Sequence, residues 1–250
     1  METTAPWRAP RLFCPGNISP GALLSLPDQA AHHVARVLRL GPGDAVRVFN
    51  GDGTEWDAQI VSSHKADVSV RVSDRHERDL ESPLRVLLAQ GISSRERMEL
   101  TLQKAVELGV AAIQPLETRR SVVRLRDERA SRRIEHWQNL VIAACEQCGR
   151  NRVPVVHPIE SLADWLGAIG RSGKESRVML APGAPQRLRE LSQRQDVTLL
   201  AGPEGGLAPE EHELAVACGF QAVRLGPRIL RTETAAMAAM AAMHALWGDF

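Results

Sequence analysis

Net charge is nearly absent from this chain: 31 lysines and arginines stand against 30 aspartates and glutamates, a formal +1 over 250 residues. The overall balance therefore does not mark a polycationic nucleic-acid binder. Cysteine is sparse too. Cys14, Cys145, Cys148 and Cys218, scattered over this length, make no disulfide scaffold, and a reducing, cytoplasmic compartment is expected. The longest apolar run, Ala235 to Trp247, is too short to span a bilayer and contains His244, so no membrane partner is expected. Met1 to Arg11 lacks the apolar core of a signal peptide. Beyond the Ala-Ala-Met triplets there is no repeat and no low-complexity segment.

What is present suits a globular protein. Hydrophobic residues make up 44% of the chain and charged residues 24%, enough for one large domain or two modest ones. The first 75 or so residues are β-rich. Asp44–Asn50 carries alternating Val46 and Val48, Gly51-Asp52-Gly53 signals a turn, and Glu55–Ser62 and Asp67–Val72 follow as strands. His32–Leu40 reads as a short helix ended by Gly41-Pro42-Gly43. Short strands at this spacing predict a small barrel.

A charged stretch, Asp74–Glu81, then reads as a linker, and beyond Pro83 the pattern changes. Leu84–Ala89 is continuously apolar, as in a strand buried on both faces. Ser93 and Glu96 fit a capping box for a helix with Met98, Leu102, Ala105 and Val106 on one face, ending at Gly109. Val110–Leu116 is the next strand, and Glu128–Cys148 a long helix. Ser176–Ala181, Val197–Ala201 and Gln221–Leu225 are further strands; Pro209-Glu210-Glu211 opens one helix, and Thr232–Trp247 forms the last. Alternating strands and helices imply an α/β domain with a mostly parallel sheet.

Two loops stand out. Leu200-Ala-Gly-Pro-Glu-Gly-Gly206 leaves a strand and precedes a helix, and ligands of open α/β sheets bind at the carboxyl ends of strands. It is neither G-x-G-x-x-G nor a P-loop. Glu204 in its middle would repel a phosphate, so the loop suits a ligand with positive charge, or one read by base and ribose. A plain tight turn explains the glycines equally well. The second loop, Leu225-Gly-Pro-Arg-Ile-Leu-Arg-Thr-Glu-Thr-Ala235, runs into the final helix with Thr232 as N-cap. It sets Arg228, Arg231 and Glu233 among turn residues, and capping alone would not need two arginines. The Ala- and Met-rich helix that follows reads as a packing helix.

Three further features each carry two readings. Thr118–Arg133 holds seven arginines, among them Arg124 and Arg126, against Asp127 and Glu128; it suits phosphate contact or a solvated face. Cys145-Glu-Gln-Cys148 has the spacing of half a zinc site, but no second pair exists and it falls inside a helix; no metal is expected. His32, Arg36 and Arg39 share a helix face that could hold RNA phosphates or simply face water.

Taken together, HHVARVLRLGPGD, QKAVELGV, ACEQCGRNRVP, AGPEGG and LGPRILRTETA, in this order from about Arg11 to Gly248, resemble the bacterial 16S rRNA (uracil-N3)-methyltransferases of the SPOUT superfamily. Met1–Ala9 lie outside the resemblance, and Arg171–Arg194 follows it only in pattern. The resemblance implies a PUA-like β-barrel over residues 1–78 and an α/β SPOUT domain with a deep trefoil knot over 79–250. It further implies a homodimer, S-adenosylmethionine as cofactor, and 16S rRNA of the small ribosomal subunit as substrate, methylated on a decoding-region uridine. The cofactor would be held by three loops: Leu180, Ala181 and Pro182; Ala201, Gly202, Pro203, Glu204, Gly205 and Gly206; and Leu225, Gly226, Ile229, Leu230, Arg231, Thr232 and Thr234.

Uracil N3 bears a proton at neutral pH and is paired in duplex RNA, so the enzyme must take an unstacked base and position it. Arg231 is expected to stabilise charge developing on the uracil carbonyls, Glu233 or Glu204 to act as base, and Arg11, Arg36, Arg39 and Arg150 to hold RNA. Three rivals remain at this point: ribose 2′-O methylation, a non-catalytic RNA-binding factor, and a dinucleotide-binding oxidoreductase, the last disfavoured by the missing G-x-G-x-x-G.

Overall fold

The computed structural model describes residues 9–64, 67–121, 128–170 and 175–250. Arg124, Arg126 and Asp127 of the arginine-rich stretch, the Met1–Arg8 end and the start of Arg171–Arg194 lie outside the described residues. The chain forms two compact units: Met1–Glu81 with Cys145–Val153, and Ser82–Ala144 with Pro154–Phe250.

The first unit contains β1 (Arg11–Phe13), β2 (Leu23–Ser25), α1 (Asp28–His32), β3 (Ala45–Phe49), β4 (Thr54–His64) and β5 (Asp67–Glu77). The strands pair in the order β1-β3-β4-β5-β2. Alternation along β3, β4 and β5 turns Val46, Val48, Trp56, Ile60, Val68, Val70 and Val72 inward, where Leu12 and Val34 join them. Two readings of the sequence change here. The supposed linker from Asp74 is still strand as far as Glu77, because Thr54 and Trp56 offer it pairing partners; cross-strand pairing overrides its charged composition. The short helix begins earlier, at Asp28, and His33–Leu38 widens into a π-helical turn. Arg39 then closes it in the left-handed region at φ 54°, so His32, Arg36 and Arg39 do not share a regular helical face.

Arg11 and Arg150 belong to the interior of this unit, with side chains only 7% and 6% exposed. Arg11 pairs with Glu55, stacks 4.8 Å over Phe49, and donates to the Arg150 carbonyl and to Asn151 Oδ1. Arg150 pairs with Glu81. Cys145 is buried there too, and burial pushes its thiol up to about 12. A thiol held protonated is a poor nucleophile and metal ligand.

The second unit contains β6 (Arg85–Gly91), α2 (Arg95–Glu107), β7 (Val110–Glu117), α3 (Glu128–Cys148, whose last residues belong to the first unit), β8 (Val155–Val156), β9 (Glu160–Ser161), α4 (Leu162–Ile169), β10 (Ser176–Leu180), β11 (Asp196–Ala201), α5 (Pro209–Ala217), β12 (Gln221–Val223) and α6 (Thr232–Trp247). Its seven-stranded sheet runs β12-β10-β11-β6-β7-β8, with β9 also on β7, and every pairing is parallel. Ala89, Met179 and Leu200 meet Leu162, Trp165 and Leu166 of α4 and Ala215 of α5, while α2 and α6 pack together. With helices on both sides, the inner strands need apolar residues at consecutive positions, which is why Leu84–Ala89 shows no alternation. Among the described residues no helix is long and apolar enough to cross a membrane, and no cluster of His, Cys, Asp or Glu is arranged to hold a metal.

Candidate active site

Parallel pairing puts the carboxyl ends of β6, β10, β11 and β12 at one edge of the sheet, where ligands of such sheets bind. The segments leaving them line a cavity of about 440 Å³. Of the residues expected to hold a cofactor, Leu180, Ala181 and Pro182, Ala201 through Gly206, and Leu225, Gly226, Ile229, Leu230, Arg231 and Thr232 all line it. Thr234 does not; it is an exposed residue of the first turn of α6. Glu233 also lies outside the lining but contacts it through Arg97. Ile229 is 84% exposed at this lip, an unusual position for a large aliphatic side chain.

The glycine loop is shaped by close backbone approach. A Cβ on Gly202 would sit 3.1 Å from the Gly206 carbonyl carbon, and one on Gly91 would meet Pro203 Cδ at 2.6 Å. Gly206 adopts φ 68°, which side-chain-bearing residues rarely accept. The loop is tied down from several elements. Arg120 donates to the Gly205 carbonyl at 2.8 Å. The Gly202 carbonyl accepts from the Thr232 hydroxyl at 2.6 Å and from Gln90 Nε2 at 3.3 Å. Thr232 is thus not an N-cap: Arg231 occupies that position, and Thr232, the first helical residue, is drawn to the glycine loop instead. Likewise Arg224 reaches the carbonyls of Ala184 and Pro185 and fixes the segment after β10.

Glu204 replaces the capping box expected from Ser93 and Glu96. The N-cap of α2 is Ser94, without a side-chain cap of its own, and its backbone N–H donates to Glu204 Oε1 at 2.8 Å. The acceptor that would ordinarily come from the same helix comes from a loop 110 residues away. Arg97, on the first turn of α2, brings Nη1 to 3.3 Å from Glu204 Oε1 and Nε to 3.9 Å from Glu233 Oε2. Burial works to raise the Glu204 carboxyl, but the Ser94 donors and the Arg97 charge outweigh it and hold the group below its usual range. Glu204 Oε2 and Glu233 Oε2 are both buried without a hydrogen-bond partner.

Reading the sequence loop by loop missed Arg97, His212 and Gln90; the first two line the cavity and the third braces it. A signal for Arg97 existed. A strand buried on both faces ends at Gly91, and its exit must share an edge with the exits of its parallel neighbours, so the first turn of the next helix was a candidate.

A fold and cavity of this kind define a class. Residues 80–244 match the RNA methyltransferase domain family, and residues 26–73 match the RNA methyltransferase PUA domain. Ribosomal RNA small subunit methyltransferase E of Buchnera aphidicola from Schizaphis graminum is 33% identical over 97% of this chain and 98% of its own length. The Bacillus subtilis protein of that name is 32% identical over 88% of each. Among solved structures, the Neisseria gonorrhoeae ribosomal RNA small subunit methyltransferase E bound to S-adenosyl methionine superposes with a TM-score of 0.88 at 40% identity, over 97% of this chain and all of that one. A Legionella pneumophila protein solved with the cofactor SAM bound gives 0.92 at 42% identity over the same shares. The chain belongs to the ribosomal RNA small subunit methyltransferase E family.

Proposed function

We propose that this protein methylates N3 of a uridine in the decoding region of 16S rRNA, in the cytoplasm, with S-adenosylmethionine as methyl donor. The observation that carries the reading is the meeting of three loops around one cavity whose buried acceptor, Glu204 Oε2, lacks a donor. The two relatives solved with the cofactor bound support it. The residues present fit that molecule: close-packed glycines leave backbone for a nucleoside, Leu180, Val223 and Leu225 give an apolar wall, and Glu204 supplies a fixed negative charge. When bound, S-adenosylmethionine supplies an electrophilic methyl group next to a sulfonium charge.

The chain supplies the rest. Leu180–Pro182, Ala201–Gly206 and 225–232 would hold the donor; Thr234, exposed and off the wall, is left out. Arg231, exposed at the cavity lip, would stabilise charge growing on the uracil carbonyls. Of the two carboxylates, Glu204 is held ionised and engaged by Ser94, which suits an electrostatic role. Glu233, beside the cavity and keeping one buried oxygen without a hydrogen-bond partner, is then our candidate acceptor for the N3 proton. Residues 1–78 would hold RNA and residues 79–250 carry catalysis. Arg36 and Arg39, both exposed, remain candidates for phosphate contact, whereas the burial and pairing of Arg11 and Arg150 assign them to the interior of their unit. The homodimer and the trefoil knot belong to the same reading; exposed Ile229 supports the first.

Methyl transfer from radiolabelled S-adenosylmethionine to small subunits lacking the native uridine modification, followed by nucleoside analysis, tests the proposal. Label is expected in 3-methyluridine. Label in a 2′-O-methyl nucleoside would replace the chemistry while keeping the cofactor, and no binding of S-adenosylmethionine would overturn the whole reading.

A further inference from the structure

We propose that Arg97 is a positioning residue of this site: its guanidinium reaches both Glu204 and Glu233 and so orients Glu204 on the cavity wall and Glu233 beside it. The inference rests on the methyltransferase reading above and assigns a role to a helix, α2, that none of the three cofactor-holding loops includes.

The geometry is a three-body arrangement. Nη1 approaches Glu204 Oε1 and Nε approaches Glu233 Oε2, at 3.3 and 3.9 Å. Both carboxylates are mostly buried, with side chains 18% and 12% exposed, and each keeps one buried oxygen without a hydrogen-bond partner. The two carboxylates share one guanidinium, and for Glu204 the donors of Ser94 together with the Arg97 charge hold the carboxyl below its usual range against burial. Arg97 lines the cavity and remains 38% exposed, so it serves the wall rather than the core. Other charged groups around the cavity do not replace it. Arg224 is taken up by the carbonyls of Ala184 and Pro185. Arg228 and Arg231 are exposed on the second loop and have no ion pair with either carboxylate, and His212 on α5 has none either. The guanidinium is suited to this because its fork presents donors in two directions from one fixed charge.

An acid group loses its charge as pH falls through its folded-state value, and removing a nearby cation raises that value. In Arg97→Gln, S-adenosylmethionine binding measured by calorimetry should therefore begin to weaken at a higher pH than in the wild type. Turnover at neutral pH should drop by about tenfold or more. Arg97→Lys should restore most of the wild-type pH dependence of binding. The double variant Arg97→Gln/Glu233→Gln should be no slower than Glu233→Gln alone, as expected for residues acting through one another. An Arg97→Gln protein with the wild-type pH profile and turnover within about twofold would overturn the proposal, as would strictly multiplicative losses in the double variant. The two levels separate cleanly: wild-type enzyme that forms no 3-methyluridine sinks the functional reading, whereas wild-type activity with an indifferent Arg97 sinks this inference alone.

Discussion

At Glu204 two influences on one carboxyl oppose each other: burial favours the neutral acid, while the donors of Ser94 and the charge of Arg97 favour the anion and prevail. The folded-state value lies below the ordinary one, so the charge present at neutral pH is lost only as pH falls through that lowered value. Affinity for S-adenosylmethionine, followed by calorimetry in steps from pH 7.5 downward, should accordingly stay flat until the pH drops beneath the normal glutamate range of about 4.3. A decline centred near pH 6 would mean that some other group controls binding. Glu204→Gln should weaken binding at every pH and remove this acid limb. That a carboxylate sits in the glycine loop was legible in the sequence. Its engagement with Ser94 was not, because a bond across 110 residues leaves no mark on local spacing. Nor was the burial of Arg11 and Arg150: an arginine in sequence looks the same whether it faces RNA or a partner such as Glu55 or Glu81.

Elements with strong local determinants were readable, and those created by pairing were not. The helix Thr232–Trp247 has the bounds that its periodicity predicts, and the helix Glu128–Cys148 ends where its periodicity predicts. Strands β1 and β2, three residues each, have no pattern to read; they exist because β3 and β5 offer them edges. The start of α5 shows a local device serving a distant segment. Pro209 stands at its first position, and Glu211 accepts the backbone N–H of Ala208 from one oxygen and that of Arg119 from the other, both at 2.8 Å. Glu211→Ala leaves the part-buried Ala208 N–H without its acceptor, while the exposed Arg119 N–H turns to water, and should cost about 1 kcal/mol in urea unfolding. Glu211→Gln, which keeps one carbonyl acceptor, should cost less. Since the same strand exit carries Arg120 to the Gly205 carbonyl, the alanine variant should also weaken cofactor binding; equal stability for all three proteins would refute the role given to Glu211.

At the scale of the molecule, the division into units does not follow a single cut in the chain. Cys145–Val153 groups with Met1–Glu81, although residues on both sides of it belong to the second unit. The segment is built into its unit by specific bonds: Glu146 accepts the Phe13 N–H at 2.9 Å, Asn151 accepts from Arg11 and donates to the Arg78 carbonyl, and Arg150 pairs with Glu81. The sequence shows ACEQCGRNRVP as unusually polar for a helix end. It cannot show that this polarity answers Arg11 and Glu81, because both lie far back in the chain. If cooperative opening follows these bonds, native-state hydrogen exchange should show the amides of 145–153 opening with β1, β3 and β4 and at their free energy. Removing the tie should move both together: Glu81→Ala takes away the carboxylate that pairs with the buried Arg150 side chain and should lower the opening free energy of both. The amides of β10 and β11 should keep their protection in that variant. Exchange of 145–153 in step with α2 and β7 instead would show that the segment follows its chain neighbours in energy, whatever contacts it makes in space.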